Sequence, residues 1–228
     1  MSDKGGWTMG LETGLPFWQT LSTQQQQVLR EAARLRTVPK GTVLHAGERD
    51  CTGLLLLQNG QLRIYSLSPE GREITLYRLL PGELCLFSAP CVLHSIRFDV
   101  TIVAEQDAQL WLIPAEVYQK LMEQSAAVAN VTNEIMGRRF SEVMWLLEQI
   151  LWQSMDRRLA ALLLEERALN GAATLKITHE ALANHLGTAR EVVTRMLRYF
   201  QSEGLVRLSR GSVELLDAEA LQKLAERH

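Results

Sequence analysis

No apolar run in the chain is longer than Leu159–Leu164, far short of the ~20 residues a membrane-crossing helix needs. A membrane partner is therefore not expected. The opening residues, MSDKGGWTMGLETGLP, carry one lysine with no apolar stretch behind it, so no signal peptide is expected either. Cysteine is scarce. Cys51, Cys85 and Cys91 do not make a disulfide framework, and the expected setting is a reducing, cytoplasmic one. An excess of either charge is also missing: Lys and Arg total 24, Asp and Glu 26, for a net charge of −2. The chain as a whole is thus no indiscriminate binder of polyanions. What remains is a globular composition, 46% hydrophobic and 22% charged, over 228 residues, enough for two domains with separate cores.

The most informative segment is ITHEALANHLGTAREVVTRMLRYF, residues 177–200. It reads as two short helices around a turn at Gly187. Thr178 and Thr188 are the expected N-caps, since a hydroxyl oxygen accepts from unpaired first-turn amides. On a wheel of about 100° per residue, Arg190, Glu191, Thr194, Arg195 and Arg198 share one sector of roughly 140°. Ala189, Val192, Val193, Met196, Leu197 and Phe200 fill the opposite side. Small Ala183, turn Gly187 and inward Val193 have helix-turn-helix spacing. Beyond the second helix, Leu205–Leu208 and Ser212–Leu216 read as a hairpin wing around Arg210-Gly211. Thr188 and Glu191 also have the spacing of a capping box, but segregated face, turn and wing together favour DNA contact. From Lys176 to Gly211, six cations (Lys176, Arg190, Arg195, Arg198, Arg207, Arg210) outnumber three carboxylates (Glu180, Glu191, Glu203). The basic excess is local, as phosphate contacts require.

Upstream, residues 21–36 suggest an amphipathic helix capped by Ser22, with Val28, Leu29, Ala32 and Leu35 on its apolar face. From Thr37 to about Ile113, short β-rich runs (TVLHA, GLLLLQ, QLRIYSL, EITLYRL, DVTIVAE, AQLWLI) alternate with Gly, Pro and Asn turns. That texture predicts an antiparallel barrel or jelly roll. Pro114 opens a short helix. Residues 126–153 contain no proline, and Ala129, Asn133, Met136, Phe140, Val143, Leu147 and Ile150 step alternately by four and three. Such a heptad seam predicts a dimerisation helix in a homodimer. A second stripe, Val131, Ile135, Met144 and Leu151, is expected to pack on the barrel. Asp156 is the expected cap of the next helix. The expected architecture is α+β: residues 1–125 a sensor jelly roll, 126–153 a dimer helix, and 154–228 a winged helix-turn-helix.

In this order the parts resemble the Crp/Fnr family of bacterial transcription regulators, from about residue 15 onward. Arg190-Glu191-Val192-Val193-Thr194-Arg195 is similar to the R-E-x-x-x-R of its cyclic-AMP receptor branch. The resemblance implies that Arg190 and Arg195 contact guanines while Glu191 accepts from cytosine, in line with base-edge chemistry. It also implies a palindrome of TGTGA-like half-sites on double-stranded DNA and RNA polymerase as a partner. Thr178, Thr188, Thr194, Arg198 and Arg210 join them as candidate DNA contacts. Ala189 replaces the serine common before this Arg and removes one phosphate contact.

The sensor half departs from the family pattern. Cyclic-nucleotide binders carry a Glu and then an Arg-Ser or Arg-Thr pair in the phosphate cassette. The corresponding positions here hold Phe87 and Phe98-Asp99, so cyclic AMP is not the expected effector. Three cysteines cannot ligate the family's four-cysteine iron–sulfur cluster either. The effector is left unknown, a small molecule or a redox signal, with Tyr65, Tyr77, Cys85, Phe87, Cys91 and Phe98 as candidate pocket residues. His94, beside Cys85 and Cys91, is a conceivable ligand for haem or metal. The alternative function is a cupin-type metalloenzyme. It requires several histidines and a carboxylate inside the barrel, where the sequence offers His45 and His94 without His-x-His spacing.

Overall fold

The computed structural model describes residues 10–47, 51–92 and 99–226. They divide into two compact units: one runs to Ser66 and includes Leu76–Val143, the other joins Leu67–Thr75 to Met144 and beyond.

The first unit opens with α1 (Leu11–Gly14), a 3-10 turn at Trp18–Thr20 and α2 (Thr23–Ala32). Ser22 caps α2 in a reciprocal capping box: its Oγ accepts from the Gln25 amide at 3.3 Å, and Gln25 Oε1 accepts from the Ser22 amide at 2.9 Å. The helix expected over 21–36 stops early because the chain turns into β1 (Arg34–Val38), paired antiparallel with β8 (Ala108–Ile113). Of its expected apolar face only Leu29 is fully buried, while Val28 and Leu35 stay exposed.

The remaining strands are β2 (Val43–Ala46), β3 (Leu54–Asn59), β4 (Leu62–Leu67), β5 (Glu73–Leu79), the two-residue β6 (Leu84–Cys85) and β7 (Thr101–Ala104). They form two four-stranded sheets, ordered β1-β8-β3-β6 and β2-β7-β4-β5, as the jelly-roll expectation requires. The run Leu54–Leu57 does not alternate in polarity because β3 is covered on both faces. Leu55 and Leu57 join Leu62, Ile64, Leu79, Ile102 and Leu110 in one core. Leu54 and Leu56 face Phe17, Trp18, Leu29, Tyr118 and Val128 in another.

That second core is closed by α3 (Ala115–Gln124), with Pro114 at its N-cap, and by the start of α4 (Ala126–Trp152). Thr132 Oγ1 donates to the Val128 carbonyl at 2.8 Å, leaving its lone pairs for the Tyr118 hydroxyl at 2.7 Å. Burial pushes the Tyr118 phenol up to about 12. The stripe of α4 turned to the barrel is Val128, Thr132, Ile135 and Arg139. Val131 also packs there, but Met144 and Leu151 of the predicted stripe are exposed.

The second unit contains α5 (Met155–Asn170), β9 (Thr174–Leu175), α6 (His179–Leu186), α7 (Arg190–Ser202), β10 (Val206–Ser209), β11 (Ser212–Leu215) and α8 (Ala218–Glu226). Ser154, not Asp156, occupies the N-cap of α5; Asp156 lies within its first turn, where a carboxylate favours the helix dipole. The wing gains a third strand, in the order β10-β11-β9. Leu159, Leu163, Leu182, Val193, Leu197, Phe200, Val213 and Leu221 make the core.

The Asn59-Gly60 turn between β3 and β4 admits no side chain. Gly60 has φ +89°, and an added Cβ would strike the Asp107 carbonyl oxygen and lie 2.8 Å from Ala108 Cα. Gly60→Ala is expected to destabilise the sensor unit by at least about 2 kcal/mol, because left-handed backbone cost and a backbone clash add. A urea midpoint equal to that of the parent protein would refute this account of the turn.

Candidate DNA interface and sensor core

The turn between α6 and α7 is built as the spacing predicts. Thr178 Oγ1 accepts from the Ala181 amide at 3.1 Å, capping α6. Gly187 ends the helix at φ +66°, a conformation that carries little cost only without a Cβ. Ala183 and Val193 are buried where the two helices meet. Thr188 is not the cap of α7: the helix begins one residue later, Ala189 holds the N-cap, and no side chain caps it. Ala189 is accordingly exposed and not on the buried side.

Five predicted contact residues do share one face of α7. Arg190, Glu191, Arg195 and Arg198 are exposed, while Val193, Leu197 and Phe200 are buried opposite them. None of the four charged side chains forms an ion pair with another described residue. Thr194 is held back, its Oγ1 2.9 Å from His179 Nδ1. In the wing, Arg207 is paired across the strands with Glu214 at 2.7 Å, whereas Arg210 is exposed at the β10–β11 turn. A face of this kind offers paired donors for guanine edges and one acceptor for a cytosine amino group.

His179 was not singled out from the sequence. It opens α6, reaches Thr194 across the turn, and feels the charge of Arg190 and Arg198. Partial burial, then those two arginines, lower its pKa below the usual 6.5. A sequence signal existed in the placement of His179 next to the cap Thr178, but nothing local pairs it with Thr194.

In the sensor unit the structure gathers some candidate pocket residues and separates others. Tyr77, Cys85 and Phe87 lie together in the buried core: Tyr77 Oη is 3.6 Å from Cys85 Sγ, and the Tyr77 and Phe87 rings meet edge-on at 5.6 Å. Burial raises both the Tyr77 phenol and the Cys85 thiol. Tyr65 is not part of this group. It alternates with core residues Leu62 and Ile64 along β4, and the Arg63 guanidinium covers its ring at 4.5 Å. Cys91 is exposed and bonded to Cys51, not gathered with Tyr77, Cys85 and Phe87. Phe98 and His94 lie outside the described residues.

The residue missed in this core is Arg139. Its guanidinium stacks on the Tyr77 ring at 4.2 Å and pairs with Glu83 at 3.1 Å and Glu142 at 2.7 Å. Burial works against its charge, but Glu142, Tyr77 and Glu83 outweigh that and hold it protonated. No group of three His, Cys, Asp or Glu side chains among the described residues is arranged to hold a metal ion, and no described helix is long and apolar enough to cross a membrane.

Two family models match the chain: a cyclic nucleotide-binding domain over residues 35–125 and a Crp-like helix-turn-helix domain over 157–224. The crystal structure of a Crp/Fnr-family protein from Eubacterium rectale superposes with a TM-score of 0.93 at 56% identity, covering 95% of this chain and 100% of that one. The chain belongs to the Crp/Fnr family. The cyclic AMP receptor protein of Thermus thermophilus is 29% identical over 93% of this chain and 97% of its own length. A Crp/Fnr-family transcriptional regulator of known structure from the same organism is 25% identical, with a TM-score of 0.67 over 85% of this chain and 99% of its own. The Crp/Fnr family consists of DNA-binding transcription regulators, not enzymes, and the cupin alternative finds no support.

The depressed pKa of His179 gives a pH signature. Below about 6.5 the unfolded chain takes up a proton that the folded chain refuses, so His179 lowers stability as pH falls toward its folded pKa. Between pH 7 and 5, His179→Gln is expected to lose less thermal stability than the parent protein. Parallel melting-temperature profiles for the two proteins would place the titration elsewhere.

Proposed function

We propose that this Crp/Fnr regulator acts as a cytoplasmic homodimer on a palindrome of TGTGA-like half-sites, with Arg190, Glu191 and Arg195 reading base edges. The observation that carries the reading is the separation of surfaces. The charged face of α7 is exposed over a buried apolar one, and α4 leaves a long apolar strip uncovered. Phe140 is 68% exposed, Leu147 44% and Ile150 40%; Val143 between them is half-buried, and Met136 of the expected seam is half-buried and packs against the sensor cores. An uncovered strip of this length on one helix matches the burial that a self-complementary partner provides. Two-fold pairing sets two recognition helices against half-sites one helical turn apart. Thr178, Arg198 and Arg210 are read as phosphate contacts. Thr188 stays in the turn, and Thr194 positions His179. RNA polymerase is the expected partner at the promoter, by membership of the family.

The effector is read as something other than cyclic AMP. Phe87 is buried against Tyr77 where cyclic-nucleotide binders hold a Glu, and the nearby Arg139 is already held by Glu83 and Glu142. A cyclic phosphate would compete with both carboxylates for that cation.

Phe140→Glu is expected to convert dimer to monomer in sedimentation or light scattering, and to weaken binding to the full palindrome far more than to a single half-site. A dimer of unchanged mass would sink the seam. Arg190→Ala is expected to cost about 1–3 kcal/mol on the palindrome and to relax preference at one base pair, whereas Arg210→Ala should weaken all sequences alike and reduce the salt slope by about 1. Uniform loss across sequences with Arg190→Ala would reassign it to a phosphate.

A further inference from the structure

Cys51 and Cys91 differ in setting from the other thiol. Both are exposed, whereas Cys85 is buried. Separated by 40 positions, they have Cα atoms 6.1 Å apart, within the range a disulfide spans, and their sulfurs are bonded. Their proximity does not depend on that bond. The Thr52 and Gly53 amides both donate to the Ser88 carbonyl, at 3.0 and 3.3 Å. Thr52 Oγ1 also donates to the Leu44 carbonyl on β2 at 3.0 Å. The backbone therefore ties the entry to β3 to the turn after β6 within a few residues of each sulfur. Disulfides in reducing compartments are mostly transient and redox-responsive, so an exposed, pre-aligned pair in a cytoplasmic DNA-binding regulator implies a reversible bond. The cytoplasmic setting and the DNA readout rest on the proposed function; the thiol chemistry does not.

We propose that Cys51 and Cys91 are a dithiol modification site for hydroperoxides, closing to a disulfide that pins the segment holding Arg139. One thiolate attacks a peroxide oxygen, the O–O bond breaks, and the departing oxygen takes up a proton, leaving as water when the oxidant is hydrogen peroxide. The resulting sulfenic acid is attacked by the second thiol, whose proton leaves with the hydroxyl as water. Two electrons pass from the sulfurs to the peroxide, so two thiols and one hydrogen peroxide give one disulfide and two waters. A dithiol reductant reverses the step by exchange. Cys85 takes no part, because burial raises its pKa and suppresses its thiolate. The coupling to the rest of the protein runs through Glu83. It opens the segment that ends at Cys91, its carbonyl accepts from the Leu57 amide at 3.1 Å, and its carboxylate grips Arg139 on α4. The bonded state fixes both ends of that segment against β3; the reduced state leaves only hydrogen bonds.

The test uses the full-length protein, reduced with dithiothreitol or oxidised with stoichiometric hydrogen peroxide, then denatured and alkylated for intact-mass analysis. The reduced protein should take up three alkyl groups and the oxidised protein one, with dithiothreitol restoring three. Reduced Cys51→Ser and Cys91→Ser should each take up two, and neither should form the intramolecular bond. After peroxide, the variant that keeps the attacking thiol should stop at sulfenic acid, gaining one oxygen and taking up one alkyl group. Closing a loop of this length should raise the melting temperature of the parent protein by roughly 5 °C or more, with no such shift in either variant. DNA affinity should differ at least about threefold between the two states of the parent protein and not at all in the variants. Failure of the bond to form, a bond to Cys85, or no return with dithiothreitol overturns the site. Equal DNA affinity in both states overturns the coupling. Absence of palindrome binding in both states overturns the proposed function instead and leaves the mass readout to decide the site.

Discussion

The hold of the sensor unit on its long helix depends on a buried cation. Moving a guanidinium out of water costs several kcal/mol unless charge and geometry repay it. Arg139 is repaid three ways, by Glu83 from the barrel, by Glu142 one turn along its own helix, and by the face of Tyr77. Because Glu83 and Tyr77 belong to the barrel and Arg139 to α4, the barrel wall and helix cannot shift independently without leaving a charge stranded. The hydrophobic contacts of Val128 and Ile135 along the same stripe tolerate small slides; a directed ion pair does not. The pairing also occupies a buried cation that stacks on Tyr77, the ring that meets Phe87, so recognition of an anionic effector there would be an exchange of partners.

A second constraint follows from the length of α4. Its barrel side is spent on Val128, Thr132, Ile135 and Arg139, and beyond Val143 the helix leaves the sensor unit. The remaining apolar residues, including Trp145 and Trp152 at 59% and 80% exposure, are left open to solvent. A surface this apolar costs solubility unless something covers it. In the proposed dimer the same helix is thus both a wall of the sensor and the axis of the assembly.

Much of this was legible in the sequence, and the misses have physical causes. EITLYRL and AQLWLI coincide with β5 and β8 to the residue, because turns with strong punctuation bound them. β1 was absorbed into a predicted helix since it is an edge strand with four of its five residues exposed, so no buried alternation marks it. Thr188 satisfied the spacing of a cap, but the turn through Gly187 delays helical geometry until Arg190. The recognition face emerged nearly complete because helical periodicity is local. Arg139, His179 and the Cys51–Cys91 pair did not, because each is defined by partners distant in sequence. Arg139 meets Glu83, 56 positions away, and nothing in the heptad pattern distinguishes it from an exposed arginine.

Charge placement finally sets how such a regulator can be controlled. With a net charge of −2, the chain gains little from nonspecific attraction to DNA, so in the proposed reading affinity comes from a few cations on α7 and the wing. Counterion release scales with the number of phosphates actually met, and each half-site contributes only a few. Binding by the proposed dimer then depends on both recognition faces reaching their grooves together, since one face alone supplies too little. A protein with a large basic patch would stay on DNA whatever its sensor reported. In the proposed dimer, a change in the geometry of α4 would suffice, and the Arg139 contacts are where the barrel grips that helix.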